Sequence, residues 1–230
     1  MNKITVTKED YIELINNAVD LDINVNKLTI KVKGKVLINE LSIKENENLD
    51  LTINVEPQSS LVYNRFLIHE IMNNKITINQ EHQSNVNFNY SFIANDKCHL
   101  TIDTNLNGDD NESEINVKAV TEKSGSATII GTADAKEKIK NNNLVEAIKV
   151  LVLNDEESVC IPNLLVATNE VTVNHACTIS SVDKNSLFYL ESKGLSEEES
   201  IKLIKNGYLL GNLSINDEIK EEIINMIEGE

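Results

Sequence analysis

His175 and Cys177 are the residues whose types and spacing most readily suggest chemistry. They stand two apart in Val171-Thr-Val-Asn-His175-Ala-Cys177-Thr-Ile-Ser180, where apolar and polar side chains alternate as in a β-strand. Residues i and i+2 of a strand project to one face, so the imidazole and thiol would sit side by side with Val171, Val173 and Ile179. One reading is a histidine and a small thiol packed in a core, where free cysteine is common. The other is a soft nitrogen–sulfur pair that holds iron or sulfide, since imidazole and thiolate both suit iron. Cys160 would join the pair if one turn of a coiled chain spanned the stretch from Cys160 to Cys177, because successive turns stack ~4.8 Å apart. An inert buried thiol is the alternative.

Other reactive side chains form no such group. Cys98 and His99 are neighbours on an alternating segment, so they would face opposite ways and could not chelate together. His69 and His82 have no partner pattern. No CxxC, HExxH, GxGxxG, P-loop or GxSxG motif occurs. The sequence predicts a protein that is not an enzyme.

Composition narrows the field. The 230 residues carry 21 Lys and Arg against 37 Asp and Glu, a formal charge of −16. So acidic a surface repels phosphate backbones and anionic headgroups, which argues against nucleic-acid and membrane partners. Hydrophobic residues at 40% suffice for a core. Three cysteines do not make a disulfide framework. The first residues, MNKITVTKEDYIELINN, contain no apolar signal-peptide region, and no apolar run reaches ~18 residues. These points predict a soluble, cytoplasmic protein.

The positioning elements are mostly strands. Thr7 to Ala18 has helical spacing, with Thr7 as cap and Tyr11, Ile12, Leu14, Ile15 and Ala18 as an apolar stripe. From residue 21 to about 180 the period is two, in many short runs. A sandwich or barrel and a β-solenoid both fit such a series. Asn-rich stretches at 45–49, 73–75 and 141–143 favour the solenoid, because Asn tolerates left-handed corners and forms side-chain ladders. So does an aromatic content of only 4%. Asn107-Gly108-Asp109-Asp110 is the one good hairpin candidate. At the C-terminal end three helices are expected. The first spans about 186–193 and stops at Gly194; the second starts at the capping box Ser196/Glu199; the third starts at Asn216 and carries Ile219, Ile223, Ile224 and Ile227.

Residues 161–209 carry a more specific signal. Pro162 leads a strand, His175-Ala176-Cys177-Thr178 follows, and then come Leu187-Phe188-Tyr189-Leu190, Ser192, Gly194, Leu195 and Ser196. This pattern resembles the C-terminal core of the SufB/SufD family of iron–sulfur cluster assembly proteins. A looser similarity runs over 118–160. The resemblance implies an all-β fold, a right-handed parallel β-helix (β-solenoid) with small N- and C-terminal helical segments. The expected layout is an N-terminal helical cap over 1–20, a β-helix core over 21–182 and a C-terminal helical segment over 183–230. The resemblance further implies a scaffold, or scaffold partner, that works with a SufC-type ABC ATPase docked on the C-terminal helices. Assembly would be a homodimer or a heterodimer with a SufB/SufD paralogue. The cofactor would be a transient iron–sulfur cluster, with His175, Cys177 and Cys160 as candidate ligands. Two positions depart from the SufB pattern. Ile148 stands where SufB has a cysteine, and Ala176 stands where SufB has a Glu after the His. Both departures are SufD-like.

Overall fold

The computed structural model describes residues 1–8 and 11–229. The chain forms a parallel β-solenoid followed by three helices. Its strands are β1 (Asn2–Val6), β2 (Tyr11–Ile15), β3 (Ala18–Ile23), β4 (Lys27–Lys33), β5 (Lys35–Val55), β6 (Ser60–Gln80), β7 (Asn85–Ala94), β8 (Lys97–Leu106), β9 (Glu112–Thr121), β10 (Ser126–Ala135), β11 (Asn142–Val152), β12 (Val159–Val166) and β13 (Val171–Ser181). One wall stacks β1-β3-β5-β6-β7-β9-β11-β13; the other stacks β2-β4-β5-β6-β8-β10-β12. The long strands β5 and β6 bend and serve both walls.

Alternation explains the walls. In β6, Leu61, Tyr63, Arg65, Leu67 and His69 point inward; past the bend at Glu70-Ile71 the parity switches and Met72, Asn74, Ile76 and Ile78 point inward. The coils lengthen along the chain, as the register shows: Asn2 stacks on Val19, Lys35 on Ser60 and Glu112 on Asn143. The few aromatics gather at mid-length, where Tyr63, Phe88, Tyr90 and Phe92 are fully buried inside. The corners are left-handed at Asn16, Gln58, Gln83, Asp110, Lys123, Lys138 and Asn141.

Several expectations need correction. The described residues of the segment 7–18 form no helix. Tyr11–Ile15 is a strand, paired in parallel with β4 from Tyr11↔Thr29 to Ile15↔Lys33. Its Ile12 and Leu14 also fit period two, and the open edge of β4 supplies a hydrogen-bond template that outweighs helix propensity. Glu9 and Asp10, which a helix capped by Thr7 would carry in its first turn, lie outside the described residues. There is no N-terminal helical cap among the described residues. Asn107–Asp110 turns a corner between β8 and β9, which lie in different walls, and makes no hairpin. The Asn runs at 45–49 and 73–75 lie within β5 and β6, whereas Asn141 does take the left-handed corner.

The helices are α1 (Lys184–Ser192), α2 (Glu197–Leu210) and α3 (Asp217–Glu228). The Ser196/Glu199 capping box and the Asn216 cap both form. α2 and α3 lie along the outside of the first wall and do not plug the end of the solenoid. Leu209, Leu213, Ile223 and Ile227 cover outward-facing Phe66, Ile68, Ile93, Val120 and Leu151. An asparagine ladder runs beneath them: Asn64 donates to Asn39 (3.1 Å), Asn89 to Asn64 (3.2 Å) and Asn116 to Asn89 (3.2 Å). Asn64 also donates to the Ser214 carbonyl (3.0 Å) and accepts from the Ser214 amide (2.9 Å), which clips the α2–α3 connection to the wall. Replacing fully buried Asn64 by Ala removes several such bonds at ~1 kcal/mol each. The expected result is a loss of about 3 kcal/mol in urea unfolding and faster proteolysis at 211–216 in the native protein.

Candidate functional site

Two groups of titratable side chains lie inside the solenoid, and they differ in whether their carboxylates are hydrogen-bonded. The first surrounds Arg65. Its Nε donates to Glu40 Oε2 at 2.7 Å, and its Nη2 reaches both oxygens of Glu47 at 3.0 Å. Lys44 Nζ lies 3.0 Å from Glu47 Oε1, Tyr63 donates its hydroxyl to Glu40 at 2.7 Å, and Asn74 donates to Glu47. The guanidinium carbon sits 4.7 Å from the centre of the Tyr90 ring. Two cations thus meet two carboxylates. Burial pushes Glu47 up, but Arg65, Lys44 and the Asn74 hydrogen bond outweigh it and hold the carboxyl at about 2. Burial pushes His69 down to about 3, so its ring, 3.9 Å from Glu47, is neutral at ordinary pH. This cluster neutralises itself inside a closed wall, as a structural ion pair does.

The second group lies at the far end. β12 pairs only with β10, and β13 is the terminal strand of its wall. No described residue stacks beyond them, so the last coil exposes apolar side chains on both faces, including Ile161, Leu164, Leu165, Val166 and Ile179. Cys177 follows Ile148 in register, His175 follows Glu146, and Cys160 follows Ile129. All three predicted site residues therefore face the interior of this last coil. The stretch from Cys160 to Cys177 is not one turn, since a full turn here runs from Ile129 to Cys160 or from Ile148 to Cys177. Cys160 and Cys177 instead face each other across the lumen from opposite walls, Cα to Cα 6.4 Å, and are joined as a disulfide. The reading of both as free thiols is corrected accordingly.

Glu146 is the functional candidate that sequence reasoning missed. It is fully buried beneath His175, with Oε1 3.6 Å from His175 Nε2, and neither carboxylate oxygen has a hydrogen-bond partner. Neither ring nitrogen of His175 has one, although the side chain is only 7% exposed. Gly131 makes the space: a Cβ there would lie 2.1 Å from Glu146 Oε1. The signal was available, because Glu146 occupies the inward parity of Leu144, Ile148 and Val150. No group of three or more His, Cys, Asp and Glu side chains among the described residues is placed to hold a metal ion. Cys98 is a buried free thiol, which burial pushes up to about 12, and it is inert.

The family model for the SUF system FeS cluster assembly SufBD core domain matches residues 50–208. The chain belongs to the SufBD core-domain family. Among curated relatives, the iron–sulfur cluster assembly protein SufD of Bacillus subtilis is 28% identical over 125 residues, 53% of this chain and 28% of that protein. A SufBD family protein of Staphylococcus aureus is 29% identical over 98 residues, 42% of this chain and 21% of that protein. One from Mycobacterium tuberculosis is 38% identical over 48 residues, 21% of this chain and 6% of that protein. The chain thus matches less than a third of the length of these relatives. Cys177 stacks directly on Ile148, in the same inward column and one coil nearer the open end. No helix among the described residues is long and apolar enough to cross a membrane.

The closed cluster sets an acid limb on stability. Unfolded His69 titrates near 6.5 and folded His69 near 3; unfolded Glu47 titrates near 4.5 and folded Glu47 near 2. In both intervals the unfolded chain binds more protons, so stability is complete above pH 6.5 and is lost as pH falls. Urea unfolding should show stability declining between pH 6.5 and 4.5 at up to ~1.4 kcal/mol per pH unit, and more steeply below 4.5. His69→Gln should flatten the upper interval. Equal stability of the wild type at pH 7 and 4.5 would contradict the assignment.

Proposed function

We propose that the chain is a SufB/SufD-like scaffold or scaffold partner in iron–sulfur cluster assembly, with the cluster as transient cargo at the open last coil. The reading rests on one observation: in a SufBD core, the uncapped coil turns His175, Cys177 and Cys160 inward together. In the reduced protein these residues offer two thiolates and an imidazole, which suit iron. One chain then falls short of a full set of cluster ligands. A second copy or a SufB/SufD paralogue, seated on the exposed edges of β12 and β13, would complete it. Strand edges and apolar side chains left without cover suit such end-on pairing. In a cytoplasmic setting the thiol pool keeps the cysteines reduced. The role is to hold and present the cargo, which needs no catalysis by the chain.

A SufC-type ABC ATPase is the second partner. Leu187, Leu190, Ile201 and Ile204 are at least partly covered within the chain, whereas Phe188 (72% exposed), Tyr189 (60%) and Leu203 (53%) are not. We place the docking contact on these three. Because α2 and α3 grip the first wall from β5 to β11, a pull by the ATPase would be felt along the solenoid and at its open coil. The combined replacement Phe188→Asp and Leu203→Asp should abolish co-purification with the ATPase while leaving the melting temperature within about 2 °C, since exposed sites contribute little to stability. Undiminished co-purification would count against this contact.

A platform that binds the ATPase without holding a cluster is the competing reading, favoured by the joined sulfurs. Anaerobic reconstitution of the reduced protein with iron and sulfide separates the two. The scaffold reading expects a labile cluster with visible charge-transfer absorption. That absorption should be lost in the Cys160→Ala/Cys177→Ala double variant and weakened several-fold in His175→Ala. Wild type that binds no iron above background, alone or with the ATPase, would decide for the platform.

A further inference from the structure

We infer that Cys160 and Cys177 form a reversible redox switch, a modification site for dithiol reductants whose closed state fastens the two walls of the last coil. The placement of the bond carries the argument. β12 pairs only with β10 and β13 only with β11, so no ladder joins the two strands to each other. Every residue of β12 and β13 stays at least partly exposed, whereas β10 and β11 bury alternate residues. The last coil thus has little core of its own to hold its walls together. The corner at 167–170 joins the end of β12 to the start of β13. The disulfide joins the opposite ends across the lumen, at a sequence separation of 17, and so closes the coil into a ring. Cys177 also stands shortly before α1, so the ring includes the strand from which the helices depart.

The surroundings suit a bond that opens and closes. Both cysteines are half-buried in a coil on which no described residue stacks, so a thiolate can reach them. Cys98 is only 3% exposed and its thiol is pushed up to about 12, so it offers no competing partner for exchange. In a reducing setting a disulfide is normally transient and redox-sensing. To open the bond, one thiolate of the reductant attacks a sulfur of the pair and forms a mixed disulfide. The second thiol of the reductant resolves it, so the reductant leaves as a disulfide, and two electrons and two protons stay on the chain as two thiols. A disulfide oxidant runs the exchange backwards. The consequence for cargo rests on the scaffold reading: the closed state withholds both thiolates from the cluster, and the open state offers them.

The test equilibrates the full chain with reduced dithiothreitol or with oxidised glutathione, removes the reagent, and reads alkylation and hydrogen exchange by mass spectrometry. The folded reduced chain should be alkylated at Cys160 and Cys177 without denaturant, and the oxidised chain at neither. Amides of 159–166 and 171–181 should exchange at least ~10-fold faster in the reduced chain, because opening the ring restores the freedom that closure removed. Exchange in β5–β9 should be the same in both states. The double variant Cys160→Ser/Cys177→Ser should exchange like reduced wild type after either treatment. Failure of the pair to close under oxidised glutathione would overturn the proposal, as would reduction that requires denaturant, equal exchange in the two states, or a double variant as protected as the oxidised wild type. The scaffold reading fails separately. Redox-dependent exchange with no cluster on reconstitution of the reduced chain leaves the switch and removes the scaffold. A cluster on the reduced chain, with exchange indifferent to redox state, does the reverse.

Discussion

Each coil of this solenoid completes its backbone hydrogen bonding only through the next coil, and every other feature of the molecule answers to that constraint. Register is thereby fixed residue by residue: Glu40, Arg65, Tyr90, Val117, Ile148 and Cys177 form one inward column. Such a column is free to carry charge only where successive members neutralise each other, and that is how Glu40 and Arg65 come to be stacked. The same rule leaves the ends unfinished. The C-terminal helices could have covered the last coil, but they lie along the first wall, held by the asparagine ladder and by Ser214. What remains bare is the coil that carries the histidine and both paired cysteines.

The two interior clusters show opposite ways of burying charge. Around Arg65 each carboxylate has cationic and hydrogen-bonding partners, so loss of one member would strand another in a dry core. Around Glu146 no hydrogen bond is made, and the carboxylate has only an ion-pair contact, with His175 Nε2 at 3.6 Å. In the first arrangement both carboxylates are satisfied, although Arg65 Nη1 and His69 Nδ1 have no hydrogen-bond partner. The second has donor atoms to spare, and it sits beside the only cysteines brought together among the described residues.

Period-two alternation made the solenoid legible over most of the chain, because inward and outward residues differ so regularly in β8, β10 and β11. The helix caps at Ser196 and Asn216 were equally plain, since capping is a local interaction. Tyr11–Ile15 misled because so short a segment fits both periods, and only the waiting edge of β4 decides between them. At the candidate site, the inward facing of His175 and Cys177 followed from spacing alone. The approach of Cys160 did not, because coil length cannot be read where the sequence has no repeat, and it changes along the chain. Arg65 passed unremarked although it stands beside Phe66-Leu67-Ile68, a setting in which a lone cation must have buried partners.

The lengthening of the coils gives the two ends different perimeters: the first turn takes the chain from Asn2 to Val19, the last from Asn142 to Val171. Parallel solenoids with matching ends can add head to tail without limit, since each exposed edge is a template for the next molecule. Here a narrow first coil presented to a wide last coil would meet only part of its circumference, and the corners would fall out of step. Among the described residues, the taper therefore works against head-to-tail stacking, since the two exposed edges differ in length.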